Sequence, residues 1–432
     1  MANQNQSNPM NLDSARLKSA RSTTPNATPM GPMLVFVGLN SLGTGAVQTG
    51  VFFLLDAAYR FGPRDNFVFG LFLYASYIAG ALSVGPVMRR RRGTRVPMRR
   101  VVALLIAIQT AVFLVPQITA WTLGVRTPPV WTVWLVGVTF GVLTGMMWPI
   151  TESYLSGGRT GGALSRATGK FNIAWSAAVV AAFWLMAPLL ATRPITVITG
   201  FAFVQASSLL CLRRFPAEPP QHLEARTEPH PASWSTLLVW FRGLLPVGYV
   251  LCGAISPLLP SVIDRLGLPV AWMTPIASAW VTSRVVVFFI FERWGAWHGR
   301  FWMPWLAGFC LVGGFAGTVA MPVSAGVWAL VAALAVFGVG HALAYIGALY
   351  YAMELGDAEV DAGGVHEALI GVGYAAGPII GLAALAAAGS AAQSDDGGAF
   401  DAWMLGLVGL VVGLAVLAGV VRTRRPGKTA RE

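Results

Sequence analysis

Twelve apolar runs dominate this chain, at residues 32–55, 67–88, 101–125, 130–150, 171–190, 194–212, 237–259, 269–291, 301–321, 325–352, 368–388 and 402–421. A helix needs about 20 residues to cross the roughly 30 Å of hydrocarbon in a bilayer, and each run is about that long. Backbone polar groups in hydrocarbon must pair inside their own segment, so each run is expected to be a helix. With 55% hydrophobic and 11% charged residues among 432, the chain has too little polar surface for a water-soluble fold. The chain therefore reads as a polytopic membrane protein.

The stretch from Ala79 to Arg100 orients the rest, because an uncharged segment runs into Arg89, Arg90, Arg91, Arg92, Arg95, Arg99 and Arg100 before apolar sequence resumes. Short arginine-rich loops stay cytoplasmic. Alternating the sides from there puts 23 Lys and Arg residues in cytoplasmic segments and five outside, with Arg242 and Arg284 inside spans. Both termini are therefore expected in the cytoplasm, in the inner or plasma membrane of the cell. The net charge of +12 is spread over these loops and forms no basic stripe, so it reads as a topology signal and not as a nucleic-acid surface. Cys211, Cys252 and Cys310 all fall in apolar runs, without metal-like spacing. The tryptophans near run ends, Trp121, Trp131, Trp294, Trp297 and Trp302, suit interfacial anchors.

Five segments are expected: a polar, disordered cytoplasmic tail at 1–31, a six-span bundle at 32–212, a flexible cytoplasmic connector at 213–236, a second six-span bundle at 237–421, and a basic tail at 422–432. No cleavable signal sequence precedes the first run. The halves repeat. Arg89, which opens the loop after the second run, lies 203 residues before Glu292, which opens the loop after the eighth, and Glu152 lies 202 residues before Glu354 at the matching ends of runs four and ten. Two similar six-helix bundles in parallel are what alternating access about a midplane site requires.

Gly85, the arginines from Arg89 and Gly93 resemble the loop signature between spans two and three of the major facilitator superfamily, with arginine standing where that signature has aspartate. Glu292 and Arg293 keep an acid–arginine pair in the corresponding loop of the second half, and Gly364, Gly373, Gly377, Pro378 and Gly381 resemble the family's antiporter signature, displaced from the fifth span to the eleventh. The resemblance covers residues 32–421. It implies an all-α integral membrane fold of twelve helices in two pseudo-symmetric six-helix bundles, with a substrate site formed mainly by spans 1, 4, 5, 7, 8, 10 and 11.

Polar residues inside apolar helices normally face the bundle, since lipid offers them no hydrogen bonds. Asn40, Thr44 and Gln48 recur every four residues in the first run, and Thr144, Trp148 and Glu152 do so in the fourth. Trp148, Trp175, Trp280, His341 and Tyr345 lie deep enough to line a cavity with them, although helix packing is an equal claim on each. Glu152 suits a gate or proton carrier, or else an ion pair with Arg159, Arg166 or Lys170. Arg284 is expected to have a partner at Glu354, Glu367 or Glu292, or an anionic substrate, because a charge at that depth is costly. His341 could carry protons. The acidic loop from Glu354 to Glu367 could pair with the arginine loops.

The expectation is a secondary transporter of a small organic molecule, with efflux preferred to uptake and coupling to protons open. Its partners would be a small-molecule substrate, membrane lipid and, if transport is coupled to them, protons, with no cofactor, no metal, no nucleic acid and a monomeric state. No phosphate-binding loop appears, so ATP would not drive it directly. A polytopic membrane enzyme and a non-transporting sensor or scaffold are the rivals.

Overall fold

The structure, a computed structural model, describes residues 27–91, 96–221, 231–320, 323–355, 360–389 and 398–424. Each apolar run folds as a helix: α1 Met30–Thr49, α2 Pro63–Arg90, α3 Met98–Leu123, α4 Trp131–Ser156, α5 Gly161–Leu190, α6 Pro194–Leu212, α7 Ser233–Asp264, α8 Val270–Arg293, α9 Trp302–Val319, α10 Gly326–Ala352, α11 His366–Ala388 and α12 Gly398–Thr423. All twelve are long and apolar enough to cross a membrane. Large apolar side chains stand out from the bundle, among them Trp328 at 79% exposure, Phe309 at 75% and Trp121 at 72%. In water such a belt could not stay uncovered, so this is a multi-pass membrane protein. Trp297 departs from its expected place at the interface: at 2% exposure it packs among Phe291, His298 and Tyr350.

The repeat read from the sequence is also a repeat of packing. In the first half α1 packs on α5 and α2 on α4; in the second, α7 packs on α11 and α8 on α10. The halves meet along two seams, α2 against α11 and α5 against α8, and the pseudo-symmetry exchanges one seam for the other. The glycine–proline stretch of α11 builds its contact with α7. A Cβ on Gly377 would run into the backbone of Gly253 and Ala254 in α7, and one on Gly253 into the backbone of Tyr374. Small residues let membrane helices approach this closely, so here the pattern serves helix packing.

In α1 the α-helix gives way to a π-helical turn over Thr44–Thr49. Gly45 makes room for it, since a Cβ there would meet Ala182 and the Val179 backbone of α5. The extra residue per turn rotates the residues after Thr49 relative to those before Thr44.

The start of the connector is anchored to the first bundle. Arg99 N–H donates to the Ala217 carbonyl at 3.1 Å, Gly158 N–H to Gln221 at 3.0 Å, and the Tyr154 hydroxyl to Ala217 at 3.2 Å. Residues 213–221 thus lie strapped along α3 and α4, contrary to a connector flexible from its first residue. Residues 222–230, both tails at 1–26 and 425–432, and Arg92, Gly93 and Arg95 lie outside the described residues.

Candidate functional site

A cavity of about 40 Å³ lies between the two bundles. That is room for a few water molecules. The first half supplies Thr44 and Gln48 from α1, Tyr77 from α2, Trp148 and Glu152 from α4, and Phe171 and Trp175 from α5. The second supplies Tyr249 from α7, Tyr345 from α10, and Glu367, Ile370 and Tyr374 from α11.

Toward the arginine-loop end, the cavity is closed by two acids. Glu367, 6% exposed, accepts a hydrogen bond from the Tyr77 hydroxyl, and the Glu152 carboxyl group lines the cavity beside it. Two neighbouring carboxyl groups disfavour being ionised at once. The contact joins α2 and α4 of one half to α11 of the other. Glu367 can do this because the helix that carries the α11 span begins upstream of that span, at Val360, two turns before the apolar run, so it is an interior residue and not a terminal one. Arg159 does not pair with Glu152: it is 4% exposed and donates to the carbonyls of Leu155 and Thr28.

Arg284 of α8 is 2% exposed and sits among aromatic rings. Its guanidinium carbon lies 4.2 Å from the Trp175 ring centroid, 5.1 Å from Trp280 and 5.9 Å from Phe288. Rings at these distances attract a cation through their quadrupoles. Among the described residues no carboxylate lies within salt-bridge distance, and Nε has no hydrogen-bond partner. Of the expected partners, Glu367 is bonded to Tyr77, and Glu292 pairs at 3.4 Å with its neighbour Arg293 at an exposed helix end. The side chain of Glu354 lies outside the described residues, as do Asp357 and Glu359.

A second cavity, of about 150 Å³, opens at the arginine-loop end between α5, α8 and α10. Arg166, Asn172, Phe288, Glu292, His298 and Tyr350 are on its walls. His298 stacks on Tyr350 with 4.2 Å between ring centroids and 6° between planes, and burial lowers its pKa from the ordinary imidazole value. This vestibule is separated from the central cavity by tilted, packed rings: Phe288 faces the vestibule, Trp175 and Tyr345 face the cavity, and Tyr345 lies 6.0 Å from Phe288 and 5.9 Å from Trp175. Arg284 stands in this partition.

Contacts between the halves close the opposite end as well. Tyr74 stacks on Tyr374 with centroids 4.8 Å apart, Asn66 Nδ2 donates to the Pro257 carbonyl at 3.3 Å, and Trp184 Nε1 donates to Ser278 Oγ at 3.2 Å. Contacts between the halves thus flank the central cavity on both sides.

Three residues expected at the cavity lie elsewhere. Asn40 is turned into the first bundle, where Gln205 Nε2 approaches its Oδ1 at 3.5 Å; Gln205 also bonds to Gln109, which donates to Thr144 at 3.1 Å. The π-helical turn beginning at Thr44 separates its face from that of Gln48, and the fourfold spacing in the sequence hides this. Trp280 lies behind Arg284, and His341, 2% exposed, is boxed by Tyr249, Trp280 and Phe337 with neither ring nitrogen bonded. Sequence reasoning overlooked Tyr77, Tyr249 and Tyr374. Their signal was available: phenols in the middle of apolar runs 67–88, 237–259 and 368–388 need somewhere to put a hydroxyl.

No family model matches this sequence, and no curated protein does either. Solved structures do match. A bacterial homologue of the human lysosomal transporter Spinster, inward-facing and occupied, aligns over 91% of this chain and 96% of its own at a TM-score of 0.59 and 14% identity. The nucleoside transporter NupG aligns over 92% and 99% at 0.57 and 14% identity. A bacterial homologue of the iron transporter ferroportin, outward-facing, aligns over 92% and 99% at 0.58 and 15% identity. What this chain shares with all three is the major facilitator fold of two six-helix bundles.

Proposed function

We propose that the protein is a secondary transporter that moves a small organic molecule across the cytoplasmic membrane by alternating access, with proton movement at the Glu152–Glu367 pair coupled to the opening of its inner end. The arginine loop marks that end as cytoplasmic. One observation carries the reading: Glu152 of one bundle and Glu367 of the other stand together on the inner wall of the central cavity, where two carboxyl groups disfavour being ionised at once. Loss of the proton puts two like charges in contact and drives the halves apart. Its return lets them close. The groups facing the pair are Tyr77 from α2, Tyr249 from α7 and Tyr345 from α10, with Arg284 of α8 beyond them. The cargo would sit against Trp175 and the cavity tyrosines, and the partition formed by Arg284, Phe288 and Tyr345 would have to swing aside for release toward the vestibule. The three similar structures are all of transporters, which supports the class, while their cargoes belong to them.

Paired spin labels on a cysteine-free background test this. One pair at the exposed positions Arg60 and Asp264 reports on the outer end, and another at Ser165 and Arg293 on the inner end. A change of pH should shift the two distances in opposite directions, one widening as the other narrows, and Glu367→Gln should hold both fixed. Distances that stay constant with pH, or that widen together at both ends, would refute the mechanism.

A further inference from the structure

Donors and acceptors in the central cavity are unequally used. Glu367 accepts the Tyr77 hydroxyl, and Thr44 donates to the Asn40 carbonyl. Donors remain unused on the cavity wall and beside it. Arg284 has no hydrogen-bond or ion-pair partner among the described residues, and the hydroxyls of Tyr249, Tyr345 and Tyr374 on the cavity wall donate to no described protein group. These lie close together: the Arg284 guanidinium is 4.2 Å from the ring of Trp175, a cavity-wall residue, and Tyr345 on the same wall is 5.9 Å from that ring.

A guanidinium held in a membrane bundle without a counter-charge is unfavourable unless something else brings one, and such residues mark sites of function. Here the missing partner is an acceptor-rich anion at the cavity. A single guanidinium suits one negative charge, and its planar fork matches the two oxygens of a carboxylate. The phenols add donors beside it. Phe171, Ile370 and the ring faces of Trp148 and Trp175 add apolar wall. We propose that Arg284 is the anion-binding residue of the central site, and that the cargo is a small organic monocarboxylate with an apolar, ring-sized body. This rests on reading the cavity as the transport site.

The test uses the full-length protein in detergent with three probes of nearly equal shape: benzoate, neutral benzamide and cationic benzylammonium. A ligand that prefers the folded state raises the unfolding temperature by mass action. Benzoate should raise it in a saturable way and the other two should not. Arg284→Gln should weaken benzoate binding by about tenfold or more, the worth of a charge-assisted hydrogen bond, and Arg284→Lys should restore part of it. Should the glutamine variant fail to fold, Tyr374→Phe removes one donor only and should weaken binding a few-fold. The proposal is overturned if benzamide or benzylammonium stabilises as well as benzoate, if the variants bind benzoate like the parent, or if no probe shifts the transition. Reciprocal spin-label movement separates the two failures: with it intact, only the substrate class falls; with it absent, the transport reading falls too.

Discussion

The two halves share one arrangement of helices and spend their buried polarity in different ways. Inside the first bundle, Asn40, Gln205, Gln109 and Thr144 form a chain of side-chain hydrogen bonds running through α1, α6, α3 and α4. Inside the second, Arg284 and His341 are nearly as deeply buried and make no hydrogen bond at Nε or at either imidazole nitrogen. Polar groups in hydrocarbon must be satisfied somewhere. Where the protein satisfies them itself they hold helices together. The first half thus buries neutral polar groups, several of them bonded to one another although Asn172 Oδ1, Ser176 Oγ and Gln205 Oε1 are not, whereas the second buries a cation and an imidazole among aromatic rings.

The largest effect should come from taking away the unsatisfied charge. Arg284→Met keeps an unbranched apolar stem under Trp175 and removes the guanidinium. Flux of the cargo should fall by about ten- to a hundredfold, because the group lost is a charged donor. Stability should hold or rise, on the order of 1 kcal/mol, since a buried charge without a counter-charge is replaced by a side chain that belongs in an apolar site. Flux assays and thermal unfolding of one preparation check both. A variant that is both inactive and unfolded would place Arg284 with the scaffold and erase the contrast.

The scaffold should respond the other way. Gln109→Leu takes away the partner of Thr144 and one of the two partners of Gln205 in a buried place, at a cost of about 1–3 kcal/mol. Among folded molecules, benzoate affinity and the reciprocal spin-label movement should be unchanged. A loss of affinity without a loss of stability would make the chain of amides part of the site.

These contrasts mark what the sequence could show. Hydropathy located all twelve spans, because the bilayer imposes one length on each, although α5 starts ten residues before its apolar run. It could not say which face of a helix turns inward, since lipid and protein interior are equally apolar to it. The placement of Asn40 went astray for a local reason, a π-helical turn that four-residue spacing cannot reveal. Glu367 looked like an end residue because hydropathy finds the apolar run at 368–388, whereas the helix begins at Val360. Trp148 and Glu152 were legible as neighbours on one face, and both line the cavity. Thr144, one turn earlier on that face, is instead bonded to Gln109.

The smallest effect is expected at the vestibule, where a second histidine of the second half sharpens the comparison with His341. His298 is open to solvent on one side and stacked on Tyr350 on the other, and burial lowers its pKa from the ordinary 6.5. The folded state therefore favours the neutral ring more than the unfolded chain does. The stability this contributes is present above the unfolded pKa and is lost as pH falls through that value toward the folded one. His298→Phe keeps a flat ring against Tyr350 and cannot take the proton. Its unfolding temperature should decline slightly less than the parent's as pH is lowered through about 6.5, with no difference between the two above that range. An equal decline in both would mean that the stacked imidazole titrates as it does in the unfolded chain, so that the vestibule's aromatic wall is as tolerant of charge as open solvent. The contrast would then rest on the partition behind it, which holds Arg284 against Trp175, Trp280 and Phe288.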